Sequence, residues 1–357
     1  MNLNAIHVIL TYRCTSRCKH CFHFGSPKNN QVFTSSQLRR YIKQITDVPS
    51  IRWVFFEGGE PTLYFPLLMQ SLKVADRAGL ATAVTTNGYW ITSVRDMVPW
   101  LKHFREANLN LLQISCDELH GNTRLEHLQR DIVDAASKAG IQCQFVGVSV
   151  PPYNDEPVEA RRGEMITSGP IVFRGRAVHK LAEPQATWLW SSFDECPHES
   201  LDDPYRLHVD PYGELLACQG ISLGNLERRT LPEILEAFDP QAHPIIGPLV
   251  RGGPAGLATE HEVAHAKGYV DACHLCYGMR RTLRERFPEL LAPAIHYGPG
   301  SGRGRGKRAG RGRGGAKANK RRAGGRRHGA GGPAEGRKQL DGQGRSINRE
   351  ADDAQPE

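Results

Sequence analysis

Cys14, Cys18 and Cys21 stand at C-x3-C-x2-C spacing in the run Cys14-Thr15-Ser16-Arg17-Cys18-Lys19-His20-Cys21. Three thiolates from one loop can ligate three irons of a 4Fe–4S cluster, which leaves the fourth iron open to a cofactor or substrate. A zinc knuckle short of one ligand, or cysteines in a turn, would show the same spacing. A second group lies far downstream: Cys196, Cys218, and the metal-type C-x2-C pair Cys273 and Cys276. Four thiolates suffice for one complete site, and zinc is the plainest occupant of such a set. The remaining two of the nine Cys, Cys116 and Cys143, read as small packed residues. An odd count grouped in this way points to reduced thiols and cofactors, hence to the cytoplasm, rather than to a disulfide framework.

Other groups with chemical use sit where strands should end. Glu57-Gly58-Gly59-Glu60-Pro61 pairs two glycines, which let backbone approach a ligand, with a carboxylate suited to an ammonium group. Thr85-Thr86-Asn87-Gly88 and Ile114-Ser115-Cys116-Asp117 follow. Polar residues at the C-terminal ends of parallel strands are where α/β proteins place ligands. Asn87-Gly88 also reads as a turn, and Asp117 as a helix cap. His120, Arg174 and Arg176 fall near the same ends and read as hydrogen-bonding or charge partners, with no acid–base role. Glu195 and Glu199 read as solvent-facing, and His198 and His274 as surface or supporting groups beside the cysteines.

The elements that must hold these residues repeat one unit through residues 1–180. Apolar, β-branched-rich runs occur at Ile6–Leu10, Trp53–Phe56, Ala81–Thr85, Leu111–Ser115, Gln144–Val150 and Ile171–Phe173. Amphipathic stretches with helix punctuation separate them. Thr34-Ser35-Ser36-Gln37 is a capping box before Leu38–Ile45, and helices should stop at Ala78-Gly79 and Ala139-Gly140. Six strands alternating with helices imply right-handed βαβ crossovers and a parallel sheet, either open and doubly wound or curled into an incomplete barrel. Residues 181–297 differ. Leu207–Leu216 predicts a hairpin turning at Pro211-Tyr212-Gly213, followed by a helix over Leu231–Phe238, a Gly/Pro-rich loop around Gly247–Gly256 and a last helix over Tyr277–Leu291.

The net charge of +8 belongs to the end of the chain. Residues 298–357 hold 16 Lys and Arg against 6 Asp and Glu, leaving 30 against 32 before them. That tail carries 17 of the 37 Gly and no aromatic residue, so it cannot bury enough apolar surface to offset ordering and should be disordered. Its Gly-Arg repeats resemble RGG-type segments and predict weak, salt-sensitive affinity for polyanions. No apolar run approaches the ~18 residues of a membrane span. The opening Met1–Ala5 lacks the features of a signal peptide, and no winged-helix leader-binding segment is expected before the first strand.

The order C-x3-C-x2-C, Gly-Gly-Glu-Pro, Thr-Asn-Gly and Ser-x-Asp over residues 10–120 resembles the radical S-adenosylmethionine (SAM) enzymes. The resemblance covers about residues 5–180 and implies a partial (β/α)6 TIM-type barrel. It implies that Cys14, Cys18 and Cys21 hold a 4Fe–4S cluster whose open iron is chelated by SAM. Gly58, Gly59 and Glu60 would then receive the methionine amino group, with Pro61 shaping the turn, and Asn87, Ser115 and Asp117 would lie near the carboxylate or ribose. The residue before the third Cys is usually a carbocyclic aromatic in that family. Here it is His20, whose imidazole can still stack on or hydrogen-bond to adenine. Downstream, the order of Cys196, Gly213-x4-Cys218 and Cys273-x2-Cys276 resembles the SPASM domain and its shortened form, twitch, which implies a small α+β domain with a second, auxiliary 4Fe–4S cluster. Only four of the seven SPASM cysteines occur, so a further cluster is not expected.

Such an enzyme would take an electron from a donor such as flavodoxin or ferredoxin, cleave SAM reductively, and use a 5′-deoxyadenosyl radical to abstract hydrogen from substrate. That makes it an oxidoreductase-type catalyst whose cofactor performs the hard step. Families with these auxiliary domains point first to a peptide or protein side chain, as in maturases. A small molecule, as in tetrapyrrole or molybdopterin biosynthesis, is the alternative. A non-catalytic Fe–S or zinc protein binding nucleic acid through its tail would leave the strand-end groups without a use.

Overall fold

The structure is a computed structural model that describes residues 2–150 and 168–298, all within one compact unit. The basic tail assigned to 298–357 lies outside the described residues beyond Gly298.

Six strands come in the expected alternation: β1 (Ala5–Thr11), β2 (Trp53–Gly58), β3 (Ala81–Thr86), β4 (Leu111–Ser115), β5 (Gln142–Ser149) and β6 (Ser168–Pro170). Helices α1 (Ser35–Thr46), α2 (Phe65–Arg77), α3 (Val94–Glu106) and α4 (Gln129–Lys138) fill the first four connections. The strands pair in parallel and in sequential order, each with the next. A doubly wound sheet needs a reversal of strand order to send helices to both faces. With no reversal, right-handed crossovers put every helix on one side and the sheet curls around the other. This is a partial TIM-type barrel.

Local chemistry explains the boundaries. The Thr34 hydroxyl accepts from Gln37 N at 3.2 Å while Gln37 Oε1 accepts from Thr34 N at 2.9 Å, closing the capping box of α1. Gly79 and Gly140 take φ of +79° and +73° just past α2 and α4, the left-handed stop a side chain resists. The sixth strand begins three residues earlier than its apolar run suggested. Ile171 N still donates to Ser149 O, but Ile171 and Phe173 are buried beyond the strand and pack with Ala177 and Val270.

After α5 (Arg176–Lys180) the chain makes the two-residue strand β7 (Trp188–Leu189) and then returns to the sheet. β8 (Arg206–Val209) pairs in parallel with β1, and β9 (Glu214–Cys218) and β10 (Ile221–Asn225) continue antiparallel from it, so β1–β6 and β8–β10 form one nine-stranded sheet without β7. The predicted hairpin is present, with Gly213 at φ +83° in its turn. α6 (Leu231–Glu236) follows. The stretch expected as a Gly/Pro loop is instead helical, α7 (Ile246–Glu260), kinked where Gly252 and Gly253 leave helical geometry ahead of Pro254. After β11 (Gly268–Tyr269), the last helix is α8 (Ala272–Leu283), earlier than Tyr277–Leu291. Its start is set by Asp271, whose side chain accepts from His274 N at 2.6 Å. Cys273 and Cys276 therefore sit on its first turns.

Candidate active site at the cysteine loops

The loop after β1 brings Cys14, Cys18 and Cys21 to one cavity of about 150 Å³, shared with His20, Phe22, His23, Gly58, Gly59, Asn87 and Ser115. Donors already aim at the sulfurs: Gly25 N reaches Cys21 Sγ at 3.3 Å, Ser16 N reaches Cys14 Sγ at 3.4 Å, and Asn87 Nδ2 reaches Cys14 Sγ at 3.6 Å. Burial pushes the thiols of Cys14 and Cys18 up to about 11 and 12. A metal, rather than solvent pH, must draw off their protons. Three soft donors on one cavity, with N–H groups ready for sulfur, fit a 4Fe–4S cluster.

Paired glycines hold this loop to the barrel. A Cβ on Gly58 would lie 2.4 Å from Thr11 O, and one on Gly59 would lie 2.2 Å from Arg13 O. Gly59 N and Glu60 N donate to those same carbonyls at 2.7 and 2.8 Å. The close approach that the glycines permit is thus to the cysteine loop itself. Glu60 is fully buried, and its carboxylate accepts from Thr62 N and Oγ1, Thr86 Oγ1 and Asn87 N. Burial raises its pKa against those bonds. It ties the ends of β2 and β3 together and does not line the cavity. Pro61 opens the short 3-10 turn Pro61–Tyr64 beneath it.

The other strand-end residues divide. Asn87 donates to Cys14 Sγ and, at 3.0 Å, to Thr15 Oγ1, while Ser115 lies 8% exposed on the cavity wall. Asp117 faces its own turn: it accepts from His120 N at 2.8 Å and Val148 N at 2.9 Å and meets His120 Nδ1 at 2.7 Å. Burial raises its pKa, but these bonds outweigh that and hold it below the usual carboxylate range. His20 packs edge-on against His120 at 4.5 Å, and its buried Nδ1 has no hydrogen-bond partner among the described residues. Burial, then His120, lowers the His20 pKa to about 4, so the ring is neutral.

The second set gathers Cys196, Cys218, Cys273 and Cys276: burial pushes up the thiols of Cys196, Cys273 and Cys276, and the neighbouring Cys218 adds to the rise in each. No three of these sulfurs lie within 4.8 Å of one another. Two arginines flank the set: Arg174 Nη1 donates to Cys218 Sγ at 3.5 Å, and buried Arg280 donates to the carbonyl of Gln219 beside it. Glu199 is not solvent-facing. It is 7% exposed and pairs with Arg206 at 3.1 Å and Arg174 at 4.0 Å.

One segment joins the two sets. Arg176 donates to Cys18 O at 2.6 Å and Gly25 O at 2.8 Å, and its own N–H reaches Cys21 O. Two residues earlier, Arg174 stacks over Phe22 at 4.7 Å while reaching Cys218. Gly175 between them has φ +60°, and a Cβ there would lie 2.5 Å from Phe22 Cα.

Sequence reasoning missed a third group. His7 on β1 is the register partner of both Phe55 on β2 and His208 on β8, so the three share one face. Glu57, two residues further along β2 and so on the same face, meets His7 Nδ1 at 3.1 Å and His208 Nε2 at 3.5 Å and also lines the cysteine cavity. The signal was a polar residue set among apolar ones in each strand, but three strands so far apart in sequence gave no spacing to read.

Residues 8–162 match the family model described as Radical SAM superfamily. The GTP 3′,8-cyclase of Aliarcobacter butzleri is 27% identical over 164 residues, 43% of this chain and 49% of the relative. That of Aquifex aeolicus is 24% identical over 169 residues, 44% of this chain and 51% of the relative. The chain thus spans about half the length of the curated relatives it matches. Among solved structures, native anSMEcpe with bound AdoMet aligns with a TM-score of 0.42 at 13% identity, covering 81% of this chain and 98% of that one.

Proposed function

We propose, from the premise that this chain is a radical SAM enzyme, that it abstracts hydrogen from a small polar molecule held against the inner wall of its barrel. Bound 4Fe–4S cluster and SAM would supply the 5′-deoxyadenosyl radical. The chain's own residues bind, orient and exclude water. Cys14, Cys18 and Cys21 would hold the cluster, the Gly58-Gly59 backbone and the Asn87 and Ser115 wall would receive SAM, and the neutral His20 ring would stack on or hydrogen-bond to adenine. Glu60 keeps the ends of β2 and β3 in register beneath them, and Asp117 positions the turn carrying His120.

The observation that carries the substrate class is the wall beside the cysteine cavity. Glu57 and Thr85 line that cavity, His208 Nε2 stands 3.5 Å from Glu57 Oε1, and Thr85 Oγ1 donates to the buried Gln113 Oε1 at 2.8 Å. A largely buried carboxylate with hydrogen-bonding neighbours favours a polar ligand over an aliphatic side chain. The matched relatives act on a nucleotide by their names, which supports the same class. A peptide is the second reading, favoured by an open cleft of about 740 Å³ lined by Arg17, Lys28, Arg176, Lys180 and Arg281, able to take an acidic segment. An acidic electron donor would suit that cleft as well.

In this reading residues 181–297 carry an auxiliary 4Fe–4S cluster on Cys196, Cys218, Cys273 and Cys276, in the manner of SPASM or twitch domains, behind a barrel of residues 1–180. The experiment is anaerobic turnover of reconstituted protein with separate metabolite and peptide pools, followed by mass spectrometry. Consumption of a polar metabolite matched by 5′-deoxyadenosine is the expected result. Turnover with peptides alone would replace the first reading by the second.

A further inference from the structure

His7, Glu57 and His208 form the one trio of His, Cys, Asp or Glu among the described residues whose ligand atoms all lie within 4.8 Å of one another. Around a metal with bonds of about 2.0–2.1 Å, ligand atoms stand roughly 3.0 Å apart at right angles and 3.4 Å apart in a tetrahedron. The 3.1 Å between His7 Nδ1 and Glu57 Oε2, and the 3.5 Å between His208 Nε2 and Glu57 Oε1, fall in that range. A salt bridge alone does not account for the group. Beyond that 3.5 Å contact with His208 Nε2, Glu57 Oε1 is buried with no hydrogen-bond partner among the described residues, and so is His208 Nδ1. A carboxylate oxygen held only by so long a contact is costly to bury unless something else takes its lone pair.

The surroundings hold the donors in place. Phe55 stacks on His7 with centroids 4.4 Å apart and planes within 6°, which fixes the ring so that Nδ1 points in its plane at Glu57. The three residues come from three adjacent strands of one sheet, where backbone pairing sets their separation. Exposure is graded: the His7 side chain is 4% exposed, while Glu57 and His208 are 16% and 15% exposed.

We propose that His7, Glu57 and His208 bind one divalent transition-metal ion by two imidazoles and a carboxylate, with its remaining coordination positions open to an oxygen donor of the substrate. Two imidazoles and one carboxylate are a donor set that suits zinc or iron and leaves sites free. The ion is distinct from both cysteine sites. It rests on the proposed function only in placing substrate at this wall. Its role is to anchor a carboxylate, phosphate or hydroxyl group beside the SAM cavity, since Glu57 borders both.

The test adds zinc(II) to the anaerobically reconstituted holoenzyme and reads metal per chain after desalting, together with zinc-edge X-ray absorption. One zinc per chain beyond the cluster iron is expected, with a nitrogen and oxygen shell and no sulfur. Glu57→Gln and His208→Gln should each weaken zinc binding by at least ~100-fold, beyond what loss of an outer-shell partner costs, with iron content unchanged. No bound zinc, a sulfur shell, or zinc held equally by both variants would overturn the site. The absorption edge of the unmodified protein decides the ligand set even if a variant misfolds. A failed turnover assay with the zinc shell intact would sink the proposed function and leave this site standing.

Discussion

The two cysteine sets are built for opposite ends. The loop of Cys14, Cys18 and Cys21 opens on a cavity, and its supporting bonds come from neutral groups: loop N–H donors and the Asn87 amide. The set of Cys196, Cys218, Cys273 and Cys276 is drawn from a loop, a strand end and a helix, with four ligands and two arginines around them. In the proposed reading, three ligands on a cavity would leave an iron to react, whereas four ligands beside two arginines would hold a cluster at a set charge. Ligand count and the charges around the sulfurs, rather than thiol chemistry, would then divide the two roles.

The largest break in that comparison comes from the ligands. Cys14→Ala, Cys18→Ala or Cys21→Ala should each reduce 5′-deoxyadenosine formation to background, measured by chromatography after dithionite reduction. Retained cleavage in any one would remove that cysteine from the site. Cys218→Ala should lose the iron of the four-cysteine set yet keep the electron paramagnetic resonance signal that shifts on adding SAM. If that signal disappears too, the two sets do not load independently.

Next in size is the turn that seats the loop. Gly59→Ala puts a methyl 2.2 Å from Arg13 O, a backbone atom that cannot swing aside. A several-fold fall in iron incorporated at the first site is expected, because overpacking costs about 1–3 kcal/mol or more. Normal loading would mean that the loop tolerates a shift.

A smaller effect sharpens the link between the sets. Arg176→Ala removes charged donors from Cys18 O and Gly25 O. Each such bond contributes about 1.5–3 kcal/mol, so thermal unfolding should move down by several degrees and cluster loss in air should quicken. Lys at 176 should restore little, since it lacks the forked geometry. Full rescue by Lys would make the role one of charge alone.

The smallest concerns the tail. Truncation after Tyr297 should leave iron content and SAM cleavage unchanged while abolishing salt-sensitive retention on heparin. Loss of cleavage would show that the tail reaches the barrel.

Much of this was legible because local chemistry carried it. The capping box at Thr34, the glycine stops at Gly79 and Gly140 and the hairpin at Gly213 are short-range signals, and the structure bears them out. Sheet order was open until the strand pairings excluded a reversal. Tertiary facts were not legible. Glu60 offered a carboxylate in sequence, yet folding surrounds it with four donors and takes it off the cavity wall. The helix over Ile246–Glu260 was hidden by four glycines and two prolines, whose buried packing outweighs propensity. His7, Glu57 and His208 meet only because β8 returns beside β1.

The central claim is two iron–sulfur sites of unequal enclosure, and metal stoichiometry tests it most directly. Anaerobically reconstituted protein should hold about eight iron and eight sulfide per chain, and the triple Cys14/Cys18/Cys21 alanine variant about half of each. Iron near four per chain together with one tightly held, sulfur-ligated zinc would contradict it, making the four-cysteine set a zinc site.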